Sequence, residues 1–182
     1  MDNNPFTVHK IDHLSASSIN LWVTDPCRWC LKYLMKIESD YGASAQRGHI
    51  IEWALERWLA KGDIVTAKEL EDVFIKHLID KQIDVEAGKA VEEIKNLMPY
   101  YDMVHANCNY PNLVNYQEKV EVQYGDLPIP IIGYIDFVFD DFILDLKTTS
   151  KMPSICPETV KRQMAVYSMV YTDRPMVVDY VT

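Results

Sequence analysis

Residues 129–147 read IPIIGYIDFVFDDFILDLK, two apolar runs separated by Asp140-Asp141. Runs of this length rich in Ile, Val and Phe, with acidic residues between them, predict the two strands of a hairpin. The first run contains Asp136, on the face that a regular strand shares among Ile132, Tyr134 and Val138. A carboxylate in such company is costly unless it is paired or bound to a cation. The second run carries Asp145 and Lys147. Residues i and i+2 of a strand project to one face, so this carboxylate and this ammonium emerge side by side. If the hairpin aligns the strands, Asp136 approaches the pair. Two carboxylates and an amine at the mouth of a twisted sheet suit an oxygen-liganded hard cation such as Mg²⁺ or Mn²⁺, with the lysine able to hold or deprotonate a water. Taken alone, the Asp-x-Lys tripeptide reads equally well as an ion pair on an exposed strand.

Working outward, the stretch 112–124, NLVNYQEKVEVQY, alternates Val114, Tyr116, Val120, Val122 and Tyr124 with polar residues, and has one polar interruption at Glu118. It predicts a half-buried strand, closed by a Gly125-Asp126 turn and joined to the hairpin as an antiparallel meander. Pro157 opens a helix expected to reach about Tyr171, and MVVDYV (176–181) is a last strand. The first half is helical. Ser15 or Ser17 can cap LSASSINLWV, which stops at Asp25-Pro26, and Pro26 suits the first turn of CRWCLKYLMK. After Ser44, the residues Ile50, Ile51, Ala54, Leu55, Trp58 and Leu59 recur with helical period as far as Gly62. Thr66-Ala-Lys-Glu69 has the form of a capping box opening a helix to about Ile83, and Asp84 can cap another that Pro99 interrupts. Alternating acids and lysines place these last two helices in an outer layer.

A chain of 182 residues, 48% hydrophobic and 25% charged with only 6 Gly and 9 Pro, is a compact globular protein, neither disordered nor collagenous. One domain over 1–182 is expected, helical to about 110 and carrying the sheet from about 111. No stretch approaches the roughly 18 apolar residues of a spanning helix, and MDNNPFTVHKIDHL lacks the features of a signal peptide, which implies a cytoplasmic protein with no membrane contact. Cys27, Cys30, Cys108 and Cys156 are then expected as buried free thiols, and Trp22, Trp29, Trp53 and Trp58 as core packing. A net charge of −9 excludes nucleic-acid binding over the whole surface but leaves room for a local site. The stretch 147–162 has that character, with Lys147, Lys151, Lys161 and Arg162 against the single acid Glu158.

Taken in order, Gly133-x-x-Asp136, Asp145-x-Lys147-Thr-Thr and Gln163-x-x-x-Tyr167 resemble the core motifs of the PD-(D/E)XK nuclease superfamily, in its RecB-like and lambda-exonuclease-like branch. The opening LSASSINLWVTDPCRWCLKYLMK resembles the first helices of that branch, so the likeness extends over nearly the whole chain. It implies an α/β fold with a restriction-endonuclease-like core, a mixed sheet flanked by helices behind a helical N-terminal region.

The branch's first motif places a His four residues after a Gly. Here Gly48 is followed at that offset by Glu52, as in lambda-exonuclease-like phage enzymes, while His49 comes directly after the glycine. On a helical projection Glu52 lies roughly 110° from the centre of the apolar stripe and His49 roughly 170°, which favours Glu52 as a ligand with His49 as the alternative. The resemblance implies Mg²⁺ or Mn²⁺ held by Glu52, Asp136, Asp145 and the Leu146 carbonyl, with Lys147 positioning the attacking water. Gln163 and Tyr167 share one helix face and would contact DNA, and Lys151, Lys161 and Arg162 would add phosphate contacts. The implied activity is an exonuclease working at DNA ends in recombination or repair, phage or bacterial, with a recombinase or single-strand-binding protein as partner. The rival readings are a structure-selective endonuclease of the same superfamily and a non-catalytic DNA-binding module. Relatives with an iron–sulfur cluster group three cysteines after the Gln-x-x-x-Tyr helix; no Cys follows Cys156 here, so no cluster is expected. Relatives also generally continue past the strand matching Met176–Val181, so an incomplete domain is a third rival reading.

Overall fold

The computed structural model describes residues 4–37, 42–107 and 110–182. Two short segments come first, helix α1 (Pro5–Val8) and strand β1 (Leu14–Ser15). Helix α2 (Ala16–Thr24) begins at Ser15, whose hydroxyl accepts from the Ser18 N–H while Ser18 Oγ accepts from the Ser15 N–H. This reciprocal cap selects Ser15 over Ser17. Asp25 caps α3 (Pro26–Trp29), which continues as a π-turn over Cys30–Leu34.

Helix α4 (Ala43–Lys61) is capped by Gly42, with Ser44 inside its first turn, and ends at Gly62 in the left-handed region (φ 72°), where glycine pays no steric penalty. Helix α5 (Ala67–Asp80) starts from Thr66, whose hydroxyl accepts from the Glu69 N–H; Glu69 does not complete a box because its carboxylate binds Arg57. α5 stops three residues short of the expected end. Helix α6 (Gly88–Asn107) corrects two expectations. Asp84 accepts from the Glu86 N–H in the preceding turn instead of capping the helix, and α6 runs straight through Pro99. The lost backbone bond at Pro99 is outweighed by the burial of Leu97, Tyr100, Tyr101 and Val104 on either side of it.

The sheet consists of β1, β2 (Leu113–Val122), β3 (Ile131–Phe139), β4 (Ile143–Thr148) and β5 (Met176–Val181). β2–β3–β4 is the expected antiparallel meander, and β5 adds parallel to β4. β2 follows β3 along one edge over its whole length. The opposite edge is divided: β1 pairs in parallel with Ile131 and Ile132, while β4 pairs only with Phe137 and Val138. From Asp145 onward β4 leaves β3 and pairs with β5 alone. A fork therefore opens in the sheet between Asp136 and Asp145. Helix α7 (Glu158–Ser168) ends three residues before the expected Tyr171.

The sheet separates two cores. On one side, α4, α5 and α6 pack Ile51, Leu55, Phe74 and Leu97 against Phe137, Phe139, Leu144 and Leu146. α5 and α6 are thus half of the main core, and only their outer faces carry the alternating charges. On the other side, Ala16 of α2 and Val166 and Tyr167 of α7 pack on Val120, Ile131, Ile135 and Ile143. Of the four tryptophans, Trp29 is buried and Trp53 and Trp58 pack partly buried on the main core, but Trp22 is 51% exposed. Cys27 and Cys156 are exposed thiols, contrary to expectation, because each lies near the start of a surface helix; Cys108 lies outside the described residues. No helix among the described residues is long and apolar enough to cross a membrane.

Candidate active site in the forked sheet

Strict alternation would place Asp136 on one face with Ile132, Tyr134 and Val138. The structure breaks that pattern: Ile131 and Ile135 pack on the α7 side, while Phe137 and Phe139, of the same parity, pack on the α4 side. The faces exchange at Asp136. Opposite it on β2, Gln117 has φ 49°, and the register passes from Tyr116↔Phe137 to Glu118↔Ile135 with no pairing at 117/136. This paired kink, next to the fork, removes Asp136 from the ladder and turns its carboxylate to a cleft of about 700 Å³.

Asp136, Glu52, Lys147, His49, Gln163 and Tyr167 all line that cleft. Asp136 Oδ2 accepts the Leu146 N–H at 3.0 Å, which ties the two arms of the fork together. Asp145 lies behind it with 0% exposure. Among the described residues its one polar side-chain partner is the Lys147 ammonium, 2.5 Å from Oδ2. Glu52 reaches in from α4, 8% exposed, with His49 Nδ1 3.9 Å from its Oε2. The His49 side chain is 65% exposed at the cleft rim, one turn before Glu52, and so closer to the site than the projection suggested. Gln117, which the sequence reading passed over, donates from Nε2 to Glu52 Oε2 at 3.1 Å and to Asp136 Oδ1 at 3.5 Å. The visible trace of this residue was the interrupted alternation beside it at Glu118.

The electrostatics follow from the crowding. Burial, then the Glu52 and Asp145 charges, push the Asp136 carboxyl up to about 8, against the opposing effect of Lys147 and the Leu146 N–H. Asp145 is raised in the same way by burial. Burial alone would depress Lys147, but the carboxylates of Asp145, Asp136 and Glu52 outweigh it and hold the ammonium above its ordinary range. Lys147 is therefore a charged donor at neutral pH and not a free base.

Along α7, Gln163 Nε2 donates to Tyr167 Oη at 2.8 Å, and Tyr167 spends its own proton on the Tyr134 carbonyl. At 1% exposure Tyr167 forms the cleft wall and holds Gln163 in place; it is not available as a DNA contact. Gly133 is required by that wall, because a Cβ there would lie 2.7 Å from Tyr167 Cε1. Arg162 donates to Asn20 Oδ1 at 2.8 Å, bridging α7 to α2, while Lys161 pairs with Glu158. Lys151 is exposed and lies outside the cleft lining. His13 just before β1, Ser15 of β1, and Ser17 and Asn20 of α2 also line the cleft; in the sequence only Ser15 and Ser17 carry a signal, as candidate helix caps.

The sequence model of the PD-(D/E)XK nuclease superfamily matches residues 13–178. The chain belongs to that superfamily. No curated protein and no solved structure matches it. Membership agrees with the curled mixed sheet between helical layers and identifies a nuclease; enzymes of this superfamily generally use divalent metals such as Mg²⁺ or Mn²⁺.

The donor set fits such an ion. Three carboxylates face one lysine, buried Asp145 is engaged by that lysine's ammonium alone among the described residues, and the carboxylates offer hard oxygens. Among the described residues, however, no three His, Cys, Asp or Glu side chains form a ready-made cage. Instead, Gln117 bridges Glu52 and Asp136, and Lys147 pairs with Asp145, each partly satisfying charge that would otherwise repel.

Proposed function

We propose that this nuclease is a Mg²⁺- or Mn²⁺-dependent deoxyribonuclease whose cation is held by Glu52, Asp136, Asp145 and the Leu146 carbonyl. The observation that carries this is the buried carboxylate pair at the fork, with Asp145 met by the Lys147 ammonium alone among the described residues while Asp136 opens onto the cleft. A cation held there would supply charge neutralisation at the scissile phosphate and would acidify water. Lys147, kept protonated by its three acidic neighbours, is placed to hold a water by hydrogen bond and presents positive charge to the phosphate. Gln163, held by Tyr167, supplies a neutral amide to the DNA strand from the opposite wall.

The motif order of the RecB-like and lambda-exonuclease-like branch supports an exonuclease acting at DNA ends in recombination or repair. Digestion of 5′- and 3′-labelled linear duplex and single strands with Mg²⁺, Mn²⁺ or chelator tests this, with covalently closed circles in parallel. We expect metal-dependent loss of label from linear DNA and intact circles. Asp145→Ala is expected to reduce the rate by at least about 10²-fold. Cutting of closed circles would replace the exonuclease reading with the endonuclease one, and no cleavage of any substrate would leave a DNA-binding module.

A further inference from the structure

Strand β2 pairs with β3 from Leu113 to Val122, interrupted by a bulge at Val114 and where Gln117 faces Asp136. At φ 49°, Gln117 is in the left-handed region, which is strained for a non-glycine residue. The kink has a directional consequence. On a regular strand Tyr116 and Glu118 would share a face; here Tyr116 packs on the α4-side core while Glu118 accepts from Tyr171 Oη, beyond the end of α7. The residue between them is thereby aimed at the cleft. Its single amide nitrogen meets carboxylates from two elements, Glu52 of α4 and Asp136 of β3.

We propose that Gln117 is a positioning residue that bridges Glu52 and Asp136 and thereby sets the affinity of the site for its divalent cation. The inference rests on the metal-dependent reading above. A glutamine suits this task because a neutral donor fixes two carboxylates without cancelling the negative charge that attracts the ion. A lysine or arginine at 117 would occupy the cation's place. Fixing ligand orientation from outside the ligand set is worth a substantial part of metal affinity.

Two variants separate this role from a structural one. Gln117→Gly keeps the left-handed backbone at no steric cost and removes the amide. Gln117→Asn tolerates the same backbone but is one methylene too short to bridge. Mn²⁺ binding is followed by the electron paramagnetic resonance signal of the free ion, alongside the Mn²⁺-dependent rise in melting temperature. Both variants should bind Mn²⁺ about 10–100-fold more weakly than the wild type. In the digestion assay, saturating Mn²⁺ should restore kcat to within a few-fold. Wild-type binding with unchanged affinity in Gln117→Gly overturns this inference and leaves the metal-dependent reading standing. Absence of Mn²⁺ binding in the wild type overturns both.

Discussion

Asp136 is costly to the fold in the absence of a cation. Its carboxyl, raised to about 8 by burial and by Glu52 and Asp145, binds a proton in the folded state over a range where the unfolded chain has released it. Stability then falls as pH rises from about 4 to about 8, because the native state holds more protons in that window. Asp136→Asn keeps an acceptor for the Leu146 N–H and removes the ionisation. In chelator the variant should melt higher than the wild type, by roughly 1–2 kcal/mol equivalent near pH 8 and by little near pH 4, while losing activity; thermal unfolding across pH reads this directly. Gly133 is constrained differently. A methyl at 133 meets Tyr167 Cε1 at 2.7 Å, so Gly133→Ala should cost roughly 1–3 kcal/mol in urea unfolding and weaken cleavage by displacing the residue that holds Gln163.

At the scale of elements, α4 has to be held so that Glu52 meets β3, and its tether to α6 is a buried ion pair. Arg47 binds Glu93, stacks over Tyr100 at 4.2 Å, and shares Glu93 with the Ser44 hydroxyl. Removing one partner strands a buried charge, so Glu93→Ala should lower unfolding free energy by about 3–5 kcal/mol, and Arg47→Met with Glu93→Leu by much less. Chemical denaturation of the single and double variants checks this. The same tether explains why α6 continues through Pro99. Its register is set by packing on α4, with Glu93 a turn and a half before the proline and Tyr100 directly after it, so propensity alone misplaced the break.

For the whole molecule, acids outnumber Lys and Arg 27 to 18, and among the described residues Lys147 is the one Lys or Arg that lines the cleft. With Lys161 paired to Glu158, few uncompensated cations lie beside the cleft to replace counterions on DNA. The salt dependence of DNA binding should accordingly be shallow, with a log–log slope of magnitude below about 4 in a fluorescence titration. A cation bound only by the folded chain also adds stability by mass action. At a hundredfold excess over Kd this is about 2.7 kcal/mol, on the order of 5–10 °C for a chain of this size, and Asp145→Ala should abolish that gain.

What the chain order alone determined was whatever depends on local periodicity and spacing. Period two marked β2, apolar runs on either side of Asp140-Asp141 marked β3 and β4, period 3.6 marked α4, and the i, i+2 rule placed Asp145 beside Lys147, which the structure shows at 2.5 Å. What only tertiary structure decided was the convergence. Gln117, a left-handed residue within a strand, exchanges the faces of β2 and β3, and the fork at Asp145 lets a helix from the opposite layer bring Glu52 to Asp136. Neither event has a local signature, because a kink at one glutamine and the parting of two strands are set by the packing of layers far apart in the chain.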